Sequence, residues 1–220
     1  MNTSTGSEVS KDTNADDPID VTALFDISPI AALELLCENV GRLTRPVEDG
    51  SASIKQQQQQ QQQEHLDYTR TAGRAGVHAA DEPAQQSMLA KRFLSKRVPP
   101  ITLKNYLLRL HRFCPMSTAD YLATSVYVSR IVVEGGFLRV TPKNVHRLVL
   151  AGLRVAVKVL EDLGYPQSRF ARVGGVSERE LSRLEIGFCF LVDFELLVDA
   201  QTLMRQVRLT RAASNSSPST

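Results

Sequence analysis

The feature that most narrows what this chain can become is TPKNVHRLVLAGLRVAVKVLEDLG at 141–164, a stretch apolar on almost every side. Thr141 followed by Pro142 is a cap-then-proline start and Gly164 a terminator, so a helix is predicted over 142–163. At 100° per residue, positions 147, 151, 154, 158 and 161 share a sector roughly 80° wide, and nearly everything outside it is Val, Leu, Ala or Gly. A helix with a single open stripe is stable in water only when other helices enclose it. Burying about six of its aliphatic side chains contributes about 1.5–3 kcal/mol each before entropy is subtracted. This segment is therefore predicted to be the centre of an all-α domain, with Arg147, Arg154, Lys158 and Glu161 marking its open side.

The enclosing helices are legible in the same way. Ser28-Pro29 opens an amphipathic helix over 28–43, with Ile30, Leu33, Leu36, Val40 and Leu43 at helical spacing. Leu103, Tyr106, Leu107, Leu110 and Phe113 form a second stripe that stops before Pro115. Ser117 with Asp120 is a capping-box variant, and the helix behind it runs to Gly135-Gly136. Ser177 with Glu180 is a full capping box opening a helix through Leu181, Leu184, Phe188, Leu191 and Val192. Gly174-Gly175 is expected to make the tight turn before it, and Asp199 to cap a last helix carrying Leu203 and Val207. No segment alternates with period two between hairpin turns, so no strand is predicted. The expected organisation is a polar, disordered arm over 1–27, the amphipathic helix over 28–43, a low-complexity linker over 44–87, a five-helix domain over 88–210 and a disordered tail over 211–220. The linker holds eight consecutive glutamines at 56–63, which offer no apolar face and lack the heptads of a coiled coil.

Several function classes find no support in the residues. The apolar runs are broken by charges well before membrane-spanning length, so no transmembrane helix is predicted. Residues 1–20 have neither the apolar centre of a secretory signal nor an Arg-rich transit pattern, and the chain is expected to stay inside the cell, in nucleus, cytoplasm or both. Cys37, Cys114 and Cys189 are odd in number and far apart, which favours reduced thiols. His65, His78, His111 and His146 show no metal-ligand spacing and read as ordinary surface or linker histidines. No phosphate loop, nucleophile elbow, H-E-x-x-H or kinase loop occurs, so neither an enzyme nor a cofactor, metal or small-molecule ligand is expected. Charge is unevenly placed: the first 87 residues hold 6 Lys and Arg against 14 Asp and Glu, the remainder 20 against 10, leaving −8 and +10. A basic domain of this kind meets an acidic partner, an acidic arm of its own, or nucleic acid.

Four stretches, in order, resemble the cyclin box of the P/U-type cyclins: ITLKNYLLRLHRF, CPMSTADYLATSVYVSR, TPKNVHRLVLAGLRVAVKVLEDLGY and FARVGGVSERELSRLEIGF. The resemblance covers 101–206, and its most specific elements are N-V-H-R at 144–147, V-G-G-x-S at 173–177 and L-E at 184–185; the helix near 29–43 is similar to one that plant members carry. The resemblance implies a single cyclin-box bundle that binds a cyclin-dependent kinase as a heterodimer and activates it. In that family a lysine and a glutamate hydrogen-bond the kinase beside its αC helix, and here they match Lys158 and Glu185. The kinase-facing surface is expected to comprise these two with Arg154, Glu161 and Asp162, around an apolar centre formed by the edges of Val155, Val159, Phe188 and Leu191. There are departures from the pattern: V-K-V-L-E-D stands for A-K-F-x-D-D, Tyr165-Pro166-Gln167 for Y-Y-N, and Ser129 for an aspartate before Arg130. The M-R-x-I-L-x-D-W segment of mitotic cyclins is missing, which argues against substrate recruitment through an R-x-L patch. The alternative is a helical module that binds nucleic acid or serves as a transcription adaptor, with KRFLSKR at 91–97 touching phosphates; a solvated helix face is the simpler reading of that run.

Overall fold

The computed structural model describes residues 20–44 and 88–215, apart from Phe137 and Leu163. The Gln-rich run, most of the acidic arm and the last five residues lie outside the described part. All regular structure among the described residues is helical. In chain order the helices are α1 (Pro29–Thr44), α2 (Leu103–Phe113), α3 (Thr118–Ser129), α4 (Val145–Leu160), α5 (Gln167–Gly174), α6 (Glu178–Leu191) and α7 (Ala200–Asn215). A 3₁₀ turn at Thr22–Leu24 precedes α1, a helical turn at 88–92 precedes α2, and a π turn at Arg130–Glu134 extends α3 to the glycine pair at 135–136. No described helix is long and apolar enough to cross a membrane.

The middle of the molecule is α4, every residue of which from Val145 to Val157 is buried except Arg147. Helix α3 covers one flank and α6 another, while α1 and α7 lie on the far side of α3 and α5 bridges α2 and α6. The contact is close at Gly152, where an added Cβ would stand 2.9 Å from Thr124 Cγ2 and 3.0 Å from Phe188 Cζ. The hydrogen in place of a side chain lets α3 and α6 approach α4 at the same level.

The caps explain where the helices begin. Ser117 Oγ accepts from the Asp120 N–H while Asp120 Oδ2 accepts from the Ser117 N–H at 2.9 Å, the reciprocal arrangement predicted. Asp199 Oδ1 accepts from the Thr202 N–H at 2.7 Å and starts α7. The box at Ser177 is half made: Ser177 Oγ accepts from the Glu180 N–H at 3.2 Å, but the Glu180 carboxylate is engaged by the Arg147 guanidinium instead of reaching back. Gly175, with φ +74°, closes α5 in the left-handed conformation.

Four boundaries differ from expectation. Helix α4 begins at Val145, because residues 142–144 form a turn in which Asn144 Oδ1 accepts from the Thr141 N–H at 2.8 Å and Asn144 Nδ2 donates to the Arg139 carbonyl at 2.9 Å. It ends at Leu160, with Glu161 already extended, so that the chain can double back and place the Tyr165 hydroxyl on the Pro115 carbonyl at 2.8 Å. The chain over 20–27, expected to be disordered, is folded: Ile27 is buried and its carbonyl accepts from Thr118 Oγ1 at 2.7 Å. At the other end α7 continues to Asn215, beyond the boundary expected at 210, and Ser214 Oγ donates to Glu38 Oε2 at 3.1 Å. The five helices expected after residue 88 are present as α2, α3, α4, α6 and α7, with α5 in addition.

Gly152→Ala tests the enclosure of α4. Overpacking of this kind costs about 1–3 kcal/mol, so the midpoint of thermal unfolding, followed by circular dichroism, is expected to fall while helical content at low temperature stays at the wild-type level.

Candidate functional site

The open stripe predicted along α4 is mostly closed. Arg147 donates from Nη1 to the Leu94 carbonyl at 2.9 Å and pairs with Glu180 of α6. Ala151 is fully buried, and Arg154 is only 5% exposed, covered by the loop that leaves α4 and by α5. Its Nη1 donates to the Tyr165 carbonyl at 2.8 Å and its Nε to Gln167 Oε1 at 3.1 Å. Burial lowers the Arg154 pKa, and the Glu185 charge opposes that shift. Apart from the partly exposed Arg147, the helix reaches solvent from Lys158 onward: Lys158, Val159 and Leu160 are exposed, as are Glu161 and Asp162 just beyond its end.

There Lys158 Nζ donates to Glu185 Oε1 across the gap between α4 and α6. The lysine side chain is 46% exposed and the glutamate side chain 14%, so the pair is set into the surface with the cation outermost. The structure thus brings Lys158 and Glu185 together. Arg154 lies beneath them, and Glu161 and Asp162 stand at their edge.

The expected apolar centre requires correction. Val155, Phe188 and Leu191 are buried in the core; the Phe188 ring lies against Gly152 and 6.2 Å, centroid to centroid, from that of Tyr127. Of the four, Val159 alone is exposed. The apolar groups that reach solvent here are Val159 and Leu160 on α4, Ile186 and Phe190 on α6 and Phe194 beyond it, the last three 54%, 53% and 58% exposed. Ile186 and Phe190 are four apart, one position round the helix from Glu185, so the pattern was present in the sequence but is hidden beside the stronger core stripe. Asp193 and Phe194 both have positive φ, 50° and 57°, which bends the chain so that the Phe194 N–H reaches the Cys189 carbonyl at 2.8 Å. The Phe194 ring then meets Phe190 edge to face, with centroids 5.1 Å apart. A phenylalanine held left-handed and in solvent is strained, a state typical of functional surfaces.

Under the edge of this face lies Asp120, which is fully buried, with Oδ1 lacking a hydrogen-bond partner. Burial pushes its carboxyl up to about 6, the hydrogen bonds from Ser117 opposing and the neighbouring Glu161 adding to the rise. Elsewhere the chemistry is quiet. Cys37, Cys114 and Cys189 are free, and burial raises the pKa of each thiol, to about 11 for Cys37. His111 Nδ1 lies 2.8 Å from the Tyr121 hydroxyl. His146 is a core residue and not a surface one: its Nε2 lies 2.9 Å from the Ile101 carbonyl, and burial lowers its pKa. Among the described residues no group of three or more His, Cys, Asp or Glu side chains is placed to hold a metal ion. In the basic run at 91–97, Phe93 is buried and its flanking Lys91, Arg92, Lys96 and Arg97 are exposed.

Because the Asp120 carboxyl titrates higher when folded than the ordinary carboxylate value of about 3.9, the folded state holds its proton more firmly. That contribution to stability is complete below about pH 3.9 and is lost as the pH rises through about 6. Asp120→Asn is therefore expected to unfold with a shallower loss of stability between those limits than the wild type, as urea denaturation across the range will show.

The family model described as Cyclin matches residues 30–196. The chain is 34% identical over 128 residues to PHO85 cyclin-7 of Saccharomyces cerevisiae, covering 53% of this chain and 45% of that protein. It is 32% identical over 126 residues to Cyclin-U4-3 of Arabidopsis thaliana, covering 57% and 58%, and 36% identical over 112 residues to the PHO85 cyclin-like protein psl1 of Schizosaccharomyces pombe, covering 50% and 46%. The chain spans about half the length of these curated relatives.

Proposed function

Because the chain belongs to the cyclin family, we propose that it is the non-catalytic regulatory subunit of a cyclin-dependent protein kinase, which it binds through the Lys158–Glu185 face and activates by favouring the αC-in conformation. The observation that carries this reading is the Lys158–Glu185 pair at the end of the central helix, the lysine outermost, with Val159 and Leu160 exposed after it and Ile186, Phe190 and Phe194 exposed on and beyond the helix that bears Glu185. The names of two relatives, PHO85 cyclin-7 and the PHO85 cyclin-like protein psl1, point the same way, and a role in cell-cycle or nutrient-linked control belongs to the same proposal.

The physics is that of population shift. A kinase is active only when its αC glutamate pairs with the β3 lysine, and a subunit that binds only that arrangement pulls the equilibrium toward it. Moving the ratio from 1:99 to 99:1 takes about 5.5 kcal/mol of differential affinity, which calls for an interface of roughly 2,000 Å². The exposed apolar and aromatic groups supply its centre, and Lys158 and Glu185 supply direction. Lys158, the more exposed member, can turn toward a partner, whereas the same charges enclosed in an interface are costly to truncate.

The double variant Lys158→Ala, Glu185→Ala is expected to keep its circular dichroism spectrum and to lose kinase activation in a phosphorylation assay. A folded variant that activates as the wild type does removes the site. The exposed cations at 91–97 favour a second reading, nucleic-acid binding, in which log affinity falls with log salt at a slope near −0.9 per contacted phosphate. The expected result is no saturable binding to duplex DNA at physiological salt.

A further inference from the structure

Arg154 is costly to hold where it is. Its guanidinium has given up most of its hydration, yet it forms no ion pair with any carboxylate among the described residues. Instead it makes neutral bonds with a definite direction, to the Tyr165 carbonyl and Gln167 Oε1, and lies over the Phe170 ring, 5.4 Å from the centroid. Gln167 carries the connection onward, its Nε2 donating to Ser182 Oγ on α6 at 3.2 Å. Arg154 and Lys158 are about one turn apart on α4, and so are Ser182 and Glu185 on α6. The two helices are thus linked twice: at the surface by Lys158 and Glu185, and beneath it by Arg154, Gln167 and Ser182. Gly164 shows how closely the loop follows the inner link, since an added Cβ there would stand 4.0 Å from Arg154 Nη1.

We propose that Arg154 is the positioning residue of this site: it clamps the 161–166 loop and the start of α5 onto α4, and its charge holds the Glu185 carboxylate from behind when Lys158 leaves that carboxylate for a partner. The proposal rests on the kinase-binding reading given above. In the free protein Glu185 is shared, in direct contact with Lys158 and within the field of Arg154. A partner that draws Lys158 outward leaves Glu185 facing a cation that cannot follow, because Arg154 is fixed by its two neutral bonds. Glu185 then stays in place for the partner's donors. The same clamp sets the path of the chain past Glu161 and Asp162, so the loop edge of the binding face is shaped from the interior. Gln167, which stands where the family pattern has an asparagine, supplies the amide that relays Arg154 to α6.

The test uses the full chain and the cyclin-dependent kinase that the wild-type chain activates. Arg154→Met replaces a buried charge with an apolar side chain of similar length and is expected to unfold as cooperatively as the wild type. Amide hydrogen exchange at 161–169 in the free protein is expected to quicken about tenfold or more, with the core of α4 still protected. Kinase affinity is expected to fall about tenfold, and Arg154→Lys to restore part of it, because lysine keeps the charge but not the two-pronged geometry. Gln167→Ala, which breaks the relay and spares the charge, is expected to loosen the loop with a smaller loss of affinity. If Arg154→Met does not fold, the Lys and Gln167 variants decide the matter alone. Unchanged exchange at 161–169 overturns the proposal, as does quickened exchange with wild-type affinity while Lys158→Ala still abolishes binding. A wild-type chain that binds no cyclin-dependent kinase defeats the functional reading and with it the role assigned to Arg154 toward Glu185, and the exchange measurement then decides the loop clamp separately.

Discussion

Everything in this molecule depends on the enclosure of one helix. Because α4 is apolar nearly all round, it must be wrapped, and the wrapping sets the places of α3 and α6. Gly152 lets α3 and α6 come in together. The price of so complete an enclosure is that α4 presents only its last turn to water. Apart from Arg147, what this helix shows to another molecule comes from Lys158 and the residues after it, and Val159 and Leu160 are its exposed apolar groups.

The two cations near that end have been divided between tasks by burial alone. Lys158, on a flexible stem, sits outside and pairs with Glu185; Arg154, with a planar head that makes two directed bonds at once, sits inside. Exchanging the two would put a compact, strongly hydrated ammonium where hydration is lost and a rigid fork where mobility is useful.

Much of the architecture was legible in the sequence because local signals agreed with the global pattern. Ser117, Asp199 and Gly175 mark helix ends by hydrogen bonds that involve only near neighbours, and the structure makes those bonds. The failures have one source. Glu180 was expected to cap its own helix, but Arg147 of another helix takes its carboxylate. Arg154 shares the angular sector of Lys158, yet a loop whose path depends on Tyr165 and Pro115 lies over one and not the other. Phe188 falls in the apolar stripe of its helix and is buried against Gly152 as that stripe predicts, whereas nothing in the stripe shows that Val155 and Leu191 lie too deep to form a binding surface. Periodicity locates a face; tertiary contacts decide what covers it. Helix α5 escaped notice because eight residues carry too little pattern, although Phe170, Ala171 and Gly174 do fall on one side.

The bend at Asp193 and Phe194 has a consequence of its own. Two successive residues sit in a backbone region that glycine occupies freely and phenylalanine at a penalty. A chain selected for robustness alone would place glycine there and gain stability. Keeping an aromatic ring in such a spot, out in water and set edge to face with a second ring, is a trade of thermodynamic comfort for a molecular shape, and trades of that sort persist where something else reads the shape.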